Sequence, residues 1–457
     1  MRHWIAALLF AVAALPVAAE EIARGKIVDG LQCASDPTQT YAVYLPTTYE
    51  AGQHRPLLFV FDPRRRGAFA AELFREAAEQ YGWIIASSND TRSDEAWAPN
   101  VIAVKAMLPD VLQRFSPDPR RIYATGFSGG AMVAWWLAQK TNGVAGIIGC
   151  SGRLADPRDA DKVSFDWFGT AGDHDFNYSE TRGIDAKLDA IHVNHRTAIF
   201  EGGHRWAPKE LLSEAMGWLE LQAMRRGTRP RDEAIIRRLL DADLAAANTL
   251  DTQPLAQLHR YEAIARTFDG LATLDDVRAK VSALSASPAV ARARKDEKRD
   301  DELEASYRLR IPVAMNAFLY AEEPRPAASL AHDLDLERLQ KLAKEPGSRG
   351  VTAQRVLDTI AAQVGSYVPR DLLAKKNYGL AATVLSVACQ IHPERADLHY
   401  NMACAAAQAK RKRDALDALE RAIEHGYRDA AHTLADPDLN SLHGDRRFDE
   451  LVARMKL

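Results

Sequence analysis

The stretch Ile122-Tyr123-Ala124-Thr125-Gly126-Phe127-Ser128-Gly129-Gly130-Ala131-Met132-Val133-Ala134 decides how the first half of this chain is read. An apolar run, Ile122–Thr125, leads into Gly126–Gly130, which fits G-x-S-x-G, and Ala131–Lys140 leads out with helix-forming residues. A strand that turns directly into a helix strains the backbone at the serine. Glycines are needed on either side because the turn is tight and the helix packs close. The serine is then exposed above the sheet, at a helix N-terminus whose amides favour developing negative charge. Ser128 is therefore the candidate nucleophile.

Working outward from this turn, short apolar runs alternate with amphipathic stretches. Strands are predicted at Tyr41–Leu45, Leu57–Phe61, Trp83–Ser87, Ile122–Thr125, Val144–Gly149, Phe165–Phe168 and Thr197–Phe200. Helices are predicted near 68–81, 97–115, 129–140, 179–192 and 208–224. Alternation of this kind implies an α/β fold, with a mostly parallel, doubly wound sheet. Partners of such a serine follow in the order serine, acid, histidine. After Phe165–Phe168 comes Gly169-Thr170-Ala171-Gly172-Asp173-His174-Asp175, which offers two carboxylates, Asp173 and Asp175. After the last strand comes Glu201-Gly202-Gly203-His204, which places a histidine where a general base must stand. His174, His192 and His195 precede that strand and read as surface residues.

Residues from about 25 to 224 resemble the compact α/β-hydrolase branch of polyhydroxyalkanoate depolymerases, feruloyl esterases and related exported esterases. The matching pieces are Gly126–Gly130, the Gly-Thr-Ala turn before Asp175, and Gly203-His204 followed by Trp206. The resemblance implies a Ser128–Asp175–His204 triad, favouring Asp175 over Asp173, and cleavage of small or polymer-borne carboxylic esters without metal or organic cofactor. A peptidase or acyltransferase would use the same triad. A helical-repeat binding protein with a decayed hydrolase domain is the other alternative. The sequence departs from the family after the strand Leu57–Phe61. A His-Gly pair is usual there, and this chain has Asp62-Pro63-Arg64-Arg65-Arg66-Gly67. Pro63 has no amide to give, so the expected oxyanion hole is Gly129 N–H with Arg64 N–H.

Composition shifts near Arg225 to Ala, Leu, Arg, Asp and Glu, with almost no strand signal. The boundaries read as a hydrolase domain over 20–226, a helical region of unassigned role over 227–346 and helical repeats over 347–457. In the last, Ala381, Leu385, Ala388 and Cys389 are matched 34 residues later by Ala415, Leu419, Ala422 and Ile423. This resembles the tetratricopeptide pattern and implies a surface for a protein partner. Pro369 fits that pattern poorly. Cys389 and Cys404 follow the small helix positions, so the spacing permits a bridge, although two buried thiols acting as small apolar residues are the preferred reading. The four cysteines have no metal-ligand spacing.

Residues 1–19 have a basic start, an apolar run and Val17-Ala18-Ala19 before Glu20, the pattern of a cleaved signal peptide. A periplasmic or secreted protein is expected, with no stable membrane insertion. The 59 basic and 62 acidic side chains nearly cancel, giving no indication of a nucleic-acid partner.

Overall fold

A computed structural model describes residues 22–93, 96–141, 143–153 and 163–456; the leader read at residues 1–19 lies outside them. The chain forms two compact units that divide at Arg294/Lys295. The first contains β1 (Ile27–Cys33), β2 (Asp36–Tyr44), β3 (Leu57–Phe61), α1 (Gly67–Tyr81), β4 (Ile84–Ser88), α2 (Ala98–Phe115) and β5 (Ile122–Phe127). It continues through α3 (Gly129–Thr141), β6 (Val144–Cys150), β7 (Asp166–Gly172), α4 (Tyr178–Ala190), β8 (His195–Phe200) and α5 (Lys209–Arg225).

Among the described residues, eight strands lie in one sheet, in the order β1-β2-β4-β3-β5-β6-β7-β8. β2 is antiparallel to both neighbours, and the other pairs are parallel. The mostly parallel sheet is as expected. β1 is an addition to the seven strands read from the sequence. Gly30 at φ 76° and a register shift between Val28 and Leu31 break its alternation, so no period of two survives to be read.

β3, β4 and β5 bury every residue, because helices cover both faces. On one face, α2, α3 and α4 close a core holding Trp135 and Trp167, edge to face at 5.4 Å. On the other, α1 and α5 close a core in which Trp83 stacks on Tyr123 at 4.4 Å. Truncating any of these tryptophans to alanine should cost roughly 3–5 kcal/mol. From β3 the chain winds outward through α1 to β4, then returns through α2 to β5 on the other side of β3. The crevice at the carboxyl ends of β3 and β5 is thus the topological switch point, where doubly wound sheets place their ligands.

The first unit continues through α6 (Glu233–Asn248), α7 (Pro254–Thr267) and α8 (Asp275–Ser285). The boundary expected at 226/227 is not a break in packing. Arg196 of β8, only 4% exposed, pairs with Glu214 of α5 and Asp243 of α6, and Arg260 of α7 pairs with the same two carboxylates. Leu221 and Met224 of α5 share a core with Ile236, Ile264 and Phe268. Composition changes there because strands stop, while the core carries on.

The second unit is helical: the greater part of α9 (Pro288–Leu319), then α10 (Ala327–Asp333), α11 (Leu336–Leu342), α12 (Ser348–Ala362), α13 (Val368–Ala374) and α14 (Tyr378–Ile391). It ends with α15 (Ala396–Gln408), α16 (Lys412–Glu424), α17 (Ala430–Ala435) and α18 (Arg446–Arg454). The boundary expected at 346/347 also falls within one core, which joins Tyr307 and Phe318 of α9 to Val356 of α12 and Val384 of α14. Pro369 is accommodated by a π-helical turn, Gln363–Tyr367, which places the proline in the first turn of α13, where its missing N–H matters least. Ala381, Ala388, Ala403, Ala415 and Ala422 are all fully buried, so α14, α15 and α16 approach closely over small side chains.

The four cysteines are unbonded and buried. Cys389 and Cys404 belong to different cores. The Cys404 thiol points to Asp436 Oδ2 at 3.6 Å, an oxygen that also accepts from Tyr400 Oη at 2.8 Å. Burial pushes the Cys389 thiol up to about 12. Among the described residues, no helix is long and apolar enough to cross a membrane.

Candidate active site

β5 ends one residue before Ser128, and α3 begins one residue after it. Between them Ser128 takes a left-handed φ of 52°, a strained conformation for a residue with a Cβ. Two hydrogen bonds hold it there: Ser128 N–H donates to Cys150 O at 2.9 Å, and Ala131 N–H donates to Ser128 O at 3.0 Å. The flanking glycines are required by contact. A Cβ on Gly126 would meet the Gly130 carbonyl carbon at 2.2 Å, and one on Gly130 would meet Phe61 O at 1.9 Å. The sharp turn predicted from the motif is present, and it seats α3 directly on the end of β3.

Beyond β7, Asp175 is fully buried. Its Oδ1 accepts from Asn177 N–H at 2.8 Å and lies 2.9 Å from His204 Nδ1. His204, with a side chain 20% exposed, stands in the loop after β8, and its Nε2 lies 2.9 Å from Ser128 Oγ. With Nδ1–H donated to the carboxylate, Nε2 is left as the acceptor for the serine hydroxyl. The three residues proposed from the sequence thus form one hydrogen-bonded series. Asp173 is placed differently: its Oδ1 accepts from Gly202 N–H at 2.9 Å and so ties down the start of the histidine loop. The imidazole also lies between two rings, Phe176 at 4.0 Å and Phe127 at 4.6 Å between centroids. Neither phenylalanine has a role visible in the sequence, since each meets the imidazole only once the chain is folded.

The loop after β3 departs from expectation. Gly129 N–H, at the start of α3, has no hydrogen-bond partner among the described residues. Arg64 N–H has one. It donates to Asp62 Oδ1 at 2.8 Å. Asp62 is wholly buried and also receives Arg66 in a two-pronged pair, at 3.0 and 2.9 Å, and Trp206 Nε1 at 2.9 Å. The Asp62 carboxylate therefore captures the amide expected to complete the hole. Of the three arginines in this loop, Arg66 is paired, while Arg64 and Arg65 are exposed.

No protein-family model and no curated protein matches the chain. Among solved structures it is similar to a thermostable esterase, with 17% identity over 39% of this chain and 56% of that one, at a TM-score of 0.33. This chain therefore spans little more than half of that esterase. A ferulic acid esterase has 16% identity over 39% of this chain and 90% of its own, at 0.33. A Mycobacterium tuberculosis puromycin-hydrolyzing peptidase has 14% identity over 44% and 40%, at 0.36. At such scores these likenesses add nothing to what the side chains of the site show.

Proposed function

We propose that the chain is a serine hydrolase of the α/β-hydrolase type that cleaves carboxylic esters through an acyl-enzyme. The observation that carries this reading is His204, whose two ring nitrogens stand 2.9 Å from Ser128 Oγ and 2.9 Å from Asp175 Oδ1. As Ser128 Oγ attacks the ester carbonyl, His204 Nε2 takes its proton and later returns it to the departing alcohol. Asp175 holds the tautomer and stabilises the imidazolium. Water, deprotonated by the same imidazole, then releases the acid. Gly129 N–H faces the developing oxyanion. With Arg64 N–H bound to Asp62, the hole is short of one donor, a deficit that costs about two to three orders of magnitude in rate. Slow turnover is expected unless substrate frees that amide.

The same proposal includes export to the periplasm or outside the cell, supported by the composition of residues 1–19. It also includes a tetratricopeptide-like surface for a protein partner, supported by the 34-residue spacing of buried alanines. A fluorophosphonate probe tests the central claim. It should label wild type, and Ser128→Ala and His204→Ala should abolish labelling. Undiminished labelling of Ser128→Ala would remove the assignment.

A further inference from the structure

We propose that Asp62 is a positioning residue of the active site, keeping His204 in place through its bond to Trp206. This rests on the reading of Ser128, His204 and Asp175 as the reacting groups. A wholly buried carboxylate costs several kcal/mol unless every lone pair is used, and Asp62 uses them all, on Arg64 N–H, Arg66 and the Trp206 indole. The indole bond spans 144 residues of sequence, joining the end of β3 to a point two residues past the general base.

That point needs an anchor. His204 stands in a non-helical, non-strand loop in which Gly202 has φ 146°. Hydrogen bonds hold the loop on either side of the imidazole: His174 N–H donates to Gly202 O at 3.2 Å, and Ser151 Oγ–H donates to Arg205 O at 3.3 Å. Gly202 N–H also donates to Asp173, and Trp206 Nε1–H donates to Asp62. Ring packing transmits the Trp206 anchor: Trp206 lies 5.7 Å from Phe127, and Phe127 lies 4.6 Å from His204. The nucleophile turn rests on the same strand end, because Gly130 is pressed against Phe61 O. The end of β3 is therefore the common support for serine and histidine, and Asp62 ties it to the histidine side.

The test uses the full chain with Asp62→Asn, Trp206→Phe and the double variant. The rate of fluorophosphonate labelling is measured, with kcat and KM on p-nitrophenyl acetate and the thermal midpoint. Trp206→Phe removes the N–H and keeps a ring; if Asp62→Asn does not fold, it decides alone. Each single change should slow labelling and lower kcat by about ten- to a hundredfold, as loss of reacting geometry does, with KM moving much less. The double variant should be no slower than the worse single one, because Trp206→Phe removes outright the bond that Asp62→Asn weakens. Folded variants that melt lower yet react at the wild-type rate would make Asp62 a purely structural residue and overturn the proposal. Multiplicative effects would also overturn it, since Asp62 would then act independently of Trp206. A wild type that the probe never labels would overturn the functional reading, and this proposal with it.

Discussion

Two carboxylates two residues apart, Asp173 and Asp175, have separate tasks, and chain position alone does not divide them. Asp175 accepts from the imidazole and from Asn177 N–H, and Asp173 accepts from Gly202 N–H. Asp175→Asn should therefore lower kcat by about four orders of magnitude, because the amide favours the wrong tautomer. Asp173→Asn keeps an acceptor oxygen for Gly202 and should cost less than about tenfold. Steady-state kinetics on p-nitrophenyl acetate separates them, and equal losses would show that Asp173 touches the chemistry too. Ser128 and His204 were legible because a strand-to-helix turn and a glycine-flanked histidine leave local patterns. Asp62 was not, because its meaning comes from Trp206, 144 residues away. The same carboxylate explains why Arg64 N–H, chosen by position in the chain, is not open.

Elements were read well where burial on both faces made a strand continuously apolar, as in β3 and β5, and poorly where a bulge interrupted the pattern, as in β1. The helical unit has a feature that no periodicity encodes. His392, just past α14, places Nε2 3.1 Å from Asp358 Oδ1 of α12 and Nδ1 3.3 Å from Glu394. The hydrogen bond to Asp358 raises its pKa above the ordinary histidine value, against the opposing effect of burial. A raised pKa in the folded state means the imidazolium stabilises the fold fully below about pH 6.5, the unfolded value. That contribution is lost as pH rises through the higher folded value. His392→Gln should therefore lower the unfolding midpoint more at about pH 5.5 than at about pH 8.5. The difference should be under about 1 kcal/mol, since the pair is partly in water. Urea melts of both proteins at the two pH values measure it. A gap that is equal at both would mean the charge contributes nothing.

At the scale of the molecule, the sheet does not end its obligations at α5. Arg196 is buried between Glu214 and Asp243, and Glu220, wholly buried in α5, bonds to Trp83, Arg121 and Arg229. A chain cut after Arg226 removes Asp243 and Arg229 together, leaving Arg196 and Glu220 each short of a partner. It also bares the face of α5 that carries Leu221 and Met224. Breaking a buried ion pair by removing one side costs roughly 3–5 kcal/mol, which for a domain of this size lowers the thermal midpoint by about 10 °C. Residues 22–226 should therefore melt at least that far below residues 22–287, which retain α6, α7 and α8, and should aggregate through the uncovered apolar face. The composition break near Arg225 marks the last strand's helix, while these ion pairs mark where the folded unit continues. Thermal melts of the two truncated chains, with probe labelling of each, decide the matter. Equal midpoints and equal labelling would mean that α6 to α8 are carried by the sheet without supporting it.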